Sequence, residues 1–229
     1  PSSSSHALVG GIVGAGVAHA GMEGIIWTGL NKTLVAIVLS PTIGMMISML
    51  IMLASSWAMK DATARRAESS FKSLHLLSSA TYSISHGLND AQKTMGVITV
   101  LLYSTGYLHG EFHVPHWVAI SCYIAIGLGT MSGGWKIIQT MGTRITKLSH
   151  HQGFSASAGG SIMVFAASWL GIPVSTTHTI TGCVIGVGAA RRTSAVRWGI
   201  AGNLLVAWFL TVPASALVGA AFYMLTRLF

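Results

Sequence analysis

Residues 173–188 read PVSTTHTITGCVIGVG, and residues 1–16 read PSSSSHALVGGIVGAG. At a constant offset of 172, Pro1 matches Pro173, Ser3 matches Ser175 and His6 matches His178. Gly10, Gly14 and Gly16 fall on Gly182, Gly186 and Gly188. Without a gap, the same offset carries Asn31 onto Asn203 and Pro41 onto Pro213. Two unrelated apolar segments rarely keep a histidine, an asparagine and two prolines in register. The chain therefore reads as an internal duplication.

Composition says where such a chain lives. Just over half of its 229 residues are hydrophobic, 8% are charged and the mean hydropathy is +0.65. Soluble domains carry about 25% charged residues, so an ordinary water-soluble domain is excluded. The formal charge of +8 comes from basic residues in short loops between apolar runs. That pattern sets membrane orientation and argues against a nucleic-acid partner. Cys122 and Cys183 both lie in apolar stretches, which gives neither a disulfide framework nor a zinc spacing. With no initiator Met or signal peptide, and with Pro1 in mid-motif, the chain reads as part of a longer protein.

A bilayer core of roughly 30 Å needs about 20 apolar residues as helix. On that measure residues 1–59 are the end of a first repeat: a hairpin tip, a half-helix and the span Leu34 to Trp57, kinked at Pro41. Residues 60–73 read as a polar cytoplasmic linker. Residues 74–229 form a second repeat: a broken helix 74–107 interrupted at Ser85–Asp90, a span 117–135, a re-entrant hairpin 153–190 and a span 198–225. The Gly133-Gly134 pair reads as close helix packing or a kink. The basic loops 60–72, 136–151 and 191–197 are placed in the cytoplasm, and 108–116 outside. Span 34–57 then runs inward and its counterpart 198–225 runs outward. The expected fold is an all-α polytopic membrane protein, an inverted-topology repeat with a broken helix and re-entrant hairpins. Such repeats mark secondary transporters, and a counterpart of the Asn89-Asp90 break is expected ahead of Pro1.

Two constellations carry candidate chemistry. The first is Ser85-His86-Gly87-Leu88-Asn89-Asp90-Ala91-Gln92-Lys93-Thr94-Met95-Gly96. Asp90 lies within an apolar run, where a carboxylate is costly and points to function. Beside Asn89 it can ligate Na⁺ or carry a proton. Lys93 can pair with Asp90 one turn away or face an anion, and His86, Gln92 and Thr94 are supporting candidates. The second constellation is the pair of hydroxyl-rich tips, Ser2 to His6 and Ser175 to His178, each just ahead of a helix. Helix N-termini offer free N–H donors and a positive dipole end to an oxyanion. N-capping alone is the plainer reading of the same residues. His6 and His178 either support the anion and hydroxyls or are structural. His109, Glu111, His113 and His116 are metal-ligand types at loose spacing, and no metal site is assigned to them.

These residues resemble the inorganic phosphate transporter (Pit) family, in its bacterial and archaeal form. SHGLNDAQKTMG resembles its second-half signature, and PSSSSHALVGG and PVSTTHTITGCVIG resemble its paired hairpin motifs. Leu88 departs from the small residue expected before Asn-Asp. The resemblance implies symport of phosphate, free or as a neutral metal–phosphate complex, driven by H⁺ or Na⁺, with no cofactor and no enzymatic activity. It implies phosphate binding by Ser3, Ser4, Ser5, Ser175, Thr176 and Thr177, and cation coupling near Asn89 and Asp90. It also implies a multi-pass protein of the bacterial inner membrane, in contact with lipid and open to homo-oligomerisation. Three rival readings are a carrier of another oxyanion such as sulfate, a channel, and an intramembrane serine hydrolase pairing a tip serine with His6 or His178.

Overall fold

The computed structural model describes residues 2–228, so Pro1, the first residue of the leading motif, lies outside the described residues. Eight α-helices account for most of them: α1 (Ser4–Ala20), α2 (Trp27–Ala58), α3 (Ala64–Ser104), α4 (His116–Ser132), α5 (Trp135–Gln139), α6 (His150–Trp169), α7 (Thr176–Arg191) and α8 (Trp198–Thr226). No strand occurs among the described residues.

The helices α2 and α8 are long and apolar enough to cross a bilayer, with mean hydropathies of 2.3 and 2.0 over their most apolar windows. Most of their large side chains point outward. Leu39, Leu50, Leu53, Leu210 and Leu217 are exposed, while Ser40, Ser48 and Gly44 on the same α2 are buried. In water so much exposed apolar surface would drive aggregation. Against lipid tails it costs nothing, and helix association then rests on small residues and hydrogen bonds between helices. Pro41 and Pro213 sit inside unbroken helices at equivalent places in the two copies.

The duplication is visible as crossed packing. Helix α1 lies along α8, and α2 lies along α7. At offset 172, α1 corresponds to α7 and α2 to α8, so each short helix packs on the long helix of the other copy. Glycines make the approach possible. A Cβ on Gly14 would fall 1.8 Å from the Ala216 carbonyl oxygen, and one on its counterpart Gly186 would fall 2.6 Å from that of Met45. Ser48 Oγ also donates to the Cys183 carbonyl at 3.1 Å, joining α2 to α7.

Helices α6 and α7 form the expected hairpin. Helix α6 starts with a capping box between Ser149 and Gln152. The chain turns at Gly171, whose φ of +65° suits glycine, and runs extended to Ser175. Val174 in this tip is buried against Ala36 and Ala167. The span expected at 117–135 is α4, and at Gly133-Gly134 the chain bends by 65° into α5 and a π turn, Thr140–Arg144. The pair is a kink and not a packing contact, since nothing lies within 4 Å of a Cβ at either glycine.

Two expectations need correction. The helix 74–107 is not broken at Ser85–Asp90, because α3 runs continuously from Ala64 to Ser104 and Gly87 keeps helical geometry. The carboxylate of Asp90 is met by side chains rather than by backbone groups freed at a break. The linker is also shorter than 60–73. Thr63 caps α3 by accepting from Arg66 N at 3.4 Å, and the polar stretch that follows is the first turns of that helix. Phe71 within it is buried and stacks on His151, ring centroids 4.0 Å apart.

Candidate functional site

The two tips are built alike. Ser3 caps α1 with φ −93° and ψ 117°, and Ser175 caps α7 with φ −90° and ψ 115°. Each Oγ accepts from the backbone N–H of the histidine three residues on, at 3.2 Å in both copies. Capping therefore claims an acceptor position on Ser3 and Ser175 and leaves their O–H free to donate. The first N–H groups of each helix, on Ser4 and Ser5 and on Thr176 and Thr177, have no partner inside the helix.

Helix α3 passes beside both tips, and Lys93 joins them to Asp90. Its Nζ donates to Ser5 Oγ at 2.7 Å and to the Val174 carbonyl at 2.6 Å. It also donates to Asn89 Oδ1 and to Asp90 Oδ1 at 3.2 Å. Both charged side chains are only 15% exposed. The second Asp90 oxygen accepts from Thr176 Oγ1 at 3.5 Å and lies 3.7 Å from His86 Nδ1. Asn89 Nδ2 donates to Ser168 Oγ at 2.8 Å, tying α3 to α6. A cavity of about 640 Å³ opens beside Ser5, Gln92 and Lys93, with Leu8, Val97 and Leu101 among its apolar walls.

The structure thus brings together Ser5, Thr176, Asn89, Asp90, Lys93 and His86. Ser4 is exposed and Thr177 half-buried at the same tips, and Gln92 and Thr94 lie on the exposed side of α3. His6 and His178 turn away from this group. Their rings are fully buried with centroids 4.6 Å apart, and His178 stacks on Trp208 at 4.0 Å. Among the described residues, none of their ring nitrogens has a hydrogen-bond partner. A tip serine therefore has no histidine base within reach, and the hydrolase reading loses the pair it needs. Around the loose 109–116 cluster, as elsewhere among the described residues, no group of three His, Cys, Asp or Glu is arranged to hold a metal.

Sequence reading missed three members of the site. Tyr82 donates its O–H to the Thr176 carbonyl at 2.8 Å. Ser168 accepts from Asn89, and the Val174 carbonyl accepts from Lys93. Tyr82 had a signal, since it lies seven residues before Asn89 and so on the same face of α3. The other two follow only from the fold of the hairpin.

The description "Phosphate transporter family" fits residues 1–219 of this chain. The chain belongs to that family. Its relatives include a protein of Rhizobium meliloti (strain 1021) called "Probable low-affinity inorganic phosphate transporter", 60% identical over 223 residues, which span 97% of this chain and 67% of the relative. A protein of the same description from Bacillus subtilis (strain 168) is 39% identical over 230 residues, covering 100% of this chain and 69% of the relative. A solved structure described as "The sodium-dependent phosphate transporter" matches with a TM-score of 0.85 and 27% identity, covering 100% of this chain and 74% of that one. For this family member, the long apolar helices α2 and α8 are those of an integral membrane protein.

Proposed function

We propose that this chain forms the core of a carrier that moves inorganic phosphate across a bacterial inner membrane in symport with H⁺ or Na⁺. The observation that carries the proposal is the meeting of both capped tips and Asp90 at one nitrogen, Lys93 Nζ. A tetrahedral oxyanion needs donors from several sides. The hydroxyls of Ser3, Ser4, Ser5, Ser175, Thr176 and Thr177, with the free N–H groups behind them, provide donors from two opposed helix ends. The coupling role falls to Asn89 and Asp90, where an added positive charge offsets that of the incoming anion. A phosphate that travels as a neutral metal complex needs less such compensation.

The two copies have opposite topology, and alternating access follows when one rocks against the other around the tips. The re-entrant α6–α7 hairpin puts its non-helical tip at mid-depth, where it is buried in protein and lines the site. The test is labelled-phosphate uptake into proteoliposomes under an imposed pH or Na⁺ gradient, with excess unlabelled phosphate or sulfate as competitor. Gradient-driven uptake that phosphate blocks and sulfate does not is the expected result. Equal block by sulfate would leave an oxyanion carrier and remove phosphate as its specific cargo. Uptake that never exceeds the phosphate gradient would favour a channel.

A further inference from the structure

The surroundings of Lys93 have the donor set of a cation site. Four oxygens from three separate parts of the fold face one nitrogen: the side chains of Asn89 and Asp90 on α3, the hydroxyl of Ser5 on α1, and the Val174 carbonyl in the tip before α7. A lysine ammonium has three protons to donate, one fewer than the oxygens it meets. A spherical cation has no such limit, and hard cations bind through mixtures of carboxylate, amide and backbone carbonyl oxygens. Backbone carbonyls at unwound segments beside half-helices are the groups that coordinate Na⁺ in carriers of this architecture. An ion pair made only to hold α3 would need Asp90 alone, which lies on the same helix three residues away. It would need neither a hydroxyl from α1 nor a carbonyl from the hairpin tip.

We infer that the Lys93 ammonium is a tethered stand-in for a mobile monovalent cation, and that the Asn89–Asp90 half-site is closed to Na⁺ while Lys93 fills it. A cation on a side chain balances Asp90 and draws the two tips together, but it cannot cross the membrane. The half-site therefore gives charge balance and closure without contributing a transported metal cation. Any Na⁺ carried by the protein would bind elsewhere, and coupling through Asp90 itself would be left to protons.

The test is to empty the cage. Lys93→Ala removes the ammonium and leaves the four oxygens and the space it filled. Lys93→Met removes the charge but fills the same space. Lys93→Asn is small and polar, and serves if Lys93→Ala is recovered poorly. Each protein is purified in detergent and melted at mildly alkaline pH, in NaCl and in choline chloride at equal ionic strength. A cation that binds only the folded state raises its melting point. The rise in melting point from choline chloride to NaCl should be several degrees larger for Lys93→Ala, or Lys93→Asn in its place, than for the wild type and Lys93→Met. Equal response to Na⁺ in the wild type and the emptied cage, or no response in the emptied cage, would overturn the inference.

A second arm rests on the phosphate-transport reading. In proteoliposomes, the ratio of phosphate uptake in Na⁺ to that in choline should be about tenfold higher for Lys93→Ala than for wild type, a typical size for coupling between two bound ligands. An unchanged ratio would overturn the inference for the transport cycle. If the wild type takes up no phosphate while the melting arm gives its expected result, the transport reading fails and the cation cage stands.

Discussion

The contact between Asp90 and Lys93 can be weighed by a double-mutant cycle. The charges approach to 3.2 Å with each side chain 15% exposed. At an effective dielectric of about 20 their attraction is about 5 kcal/mol. Removing one partner of such a buried pair costs about 3–5 kcal/mol, because the other charge is left without compensation. Asp90→Asn leaves Lys93 facing neutral oxygens only. Lys93→Met leaves Asp90 with Thr176 and His86, at 3.5 and 3.7 Å. Each single variant should lose about 3 kcal/mol, which is about 6–12 °C of melting temperature for a domain of this size. The double variant Asp90→Asn/Lys93→Met removes both charges together and should recover most of that loss. Tryptophan fluorescence of the detergent-solubilised protein reads the melting directly, since seven tryptophans are present and Trp208 stacks inside the helix bundle. If the two losses simply add, with a coupling below about 0.5 kcal/mol, the residues do not interact as described. Asp90→Asn should also abolish coupled uptake in proteoliposomes, even where the double variant restores folding.

Five other substitutions probe three separate links. Gly87→Ala should stabilise by up to about 1 kcal/mol, because alanine is the better helix former and nothing lies within 4 Å of the added Cβ; a lower melting temperature would mean that α3 needs a break at this point. Gly14→Val and Gly186→Val should each cost at least about 2 kcal/mol by forcing apart α1 and α8, or α2 and α7, and a normal yield of monodisperse protein in size-exclusion chromatography would contradict the packing. Ser3→Ala and Ser175→Ala should each cost about 1 kcal/mol as lost N-caps, in equal measure, and thermal melts showing a cost in one copy only would break the equivalence of the tips.

Residues whose role is local were legible in the sequence. Ser3 and Ser175 announce helix starts by type, and the offset of 172 predicts that the two starts share one geometry, as their dihedral angles do. Pro41 and Pro213 fall inside single helices, as the duplicated spans require. The Ser85–Asp90 break was misread for a physical reason. A carboxylate in an apolar run needs compensation, and freed backbone groups are one source, but Lys93 one turn along the same helix and Thr176 across the fold provide it and let the helix continue. The residues before Phe71 were misread because they are polar, whereas a membrane helix can extend past the lipid, where a polar surface is favoured. The direction in which His6 and His178 point was not legible either. It depends on the crossing of α1 with α7 and α8, a contact between residues far apart in the chain.

The placement of the ammonium also bears on how the two copies can move. Helix α1 packs along α8, whereas α2, α3, α6 and α7 pack among themselves. Gly14 lies against the backbone of Ala216, and Gly186 against the backbone and side chain of Met45 and the Ser48 hydroxyl, so each crossed pair is closely packed and suited to moving as a unit. The tip of α1 meets the hairpin body through groups of a different kind. Ser5 is held by a hydrogen bond to Lys93, and His6 rests against His178 without one. A hydrogen bond to a charged group contributes about 1.5–3 kcal/mol, which is the scale on which a two-state equilibrium shifts by one to two orders of magnitude. On the proposed reading, an anion arriving at the tips would accept from the Ser5 O–H and draw on the same Lys93 protons that Ser5 Oγ accepts, and so would act on this contact rather than on the closely packed pairs. Binding and rearrangement are then linked through Ser5, which belongs to one copy while Lys93 belongs to the other.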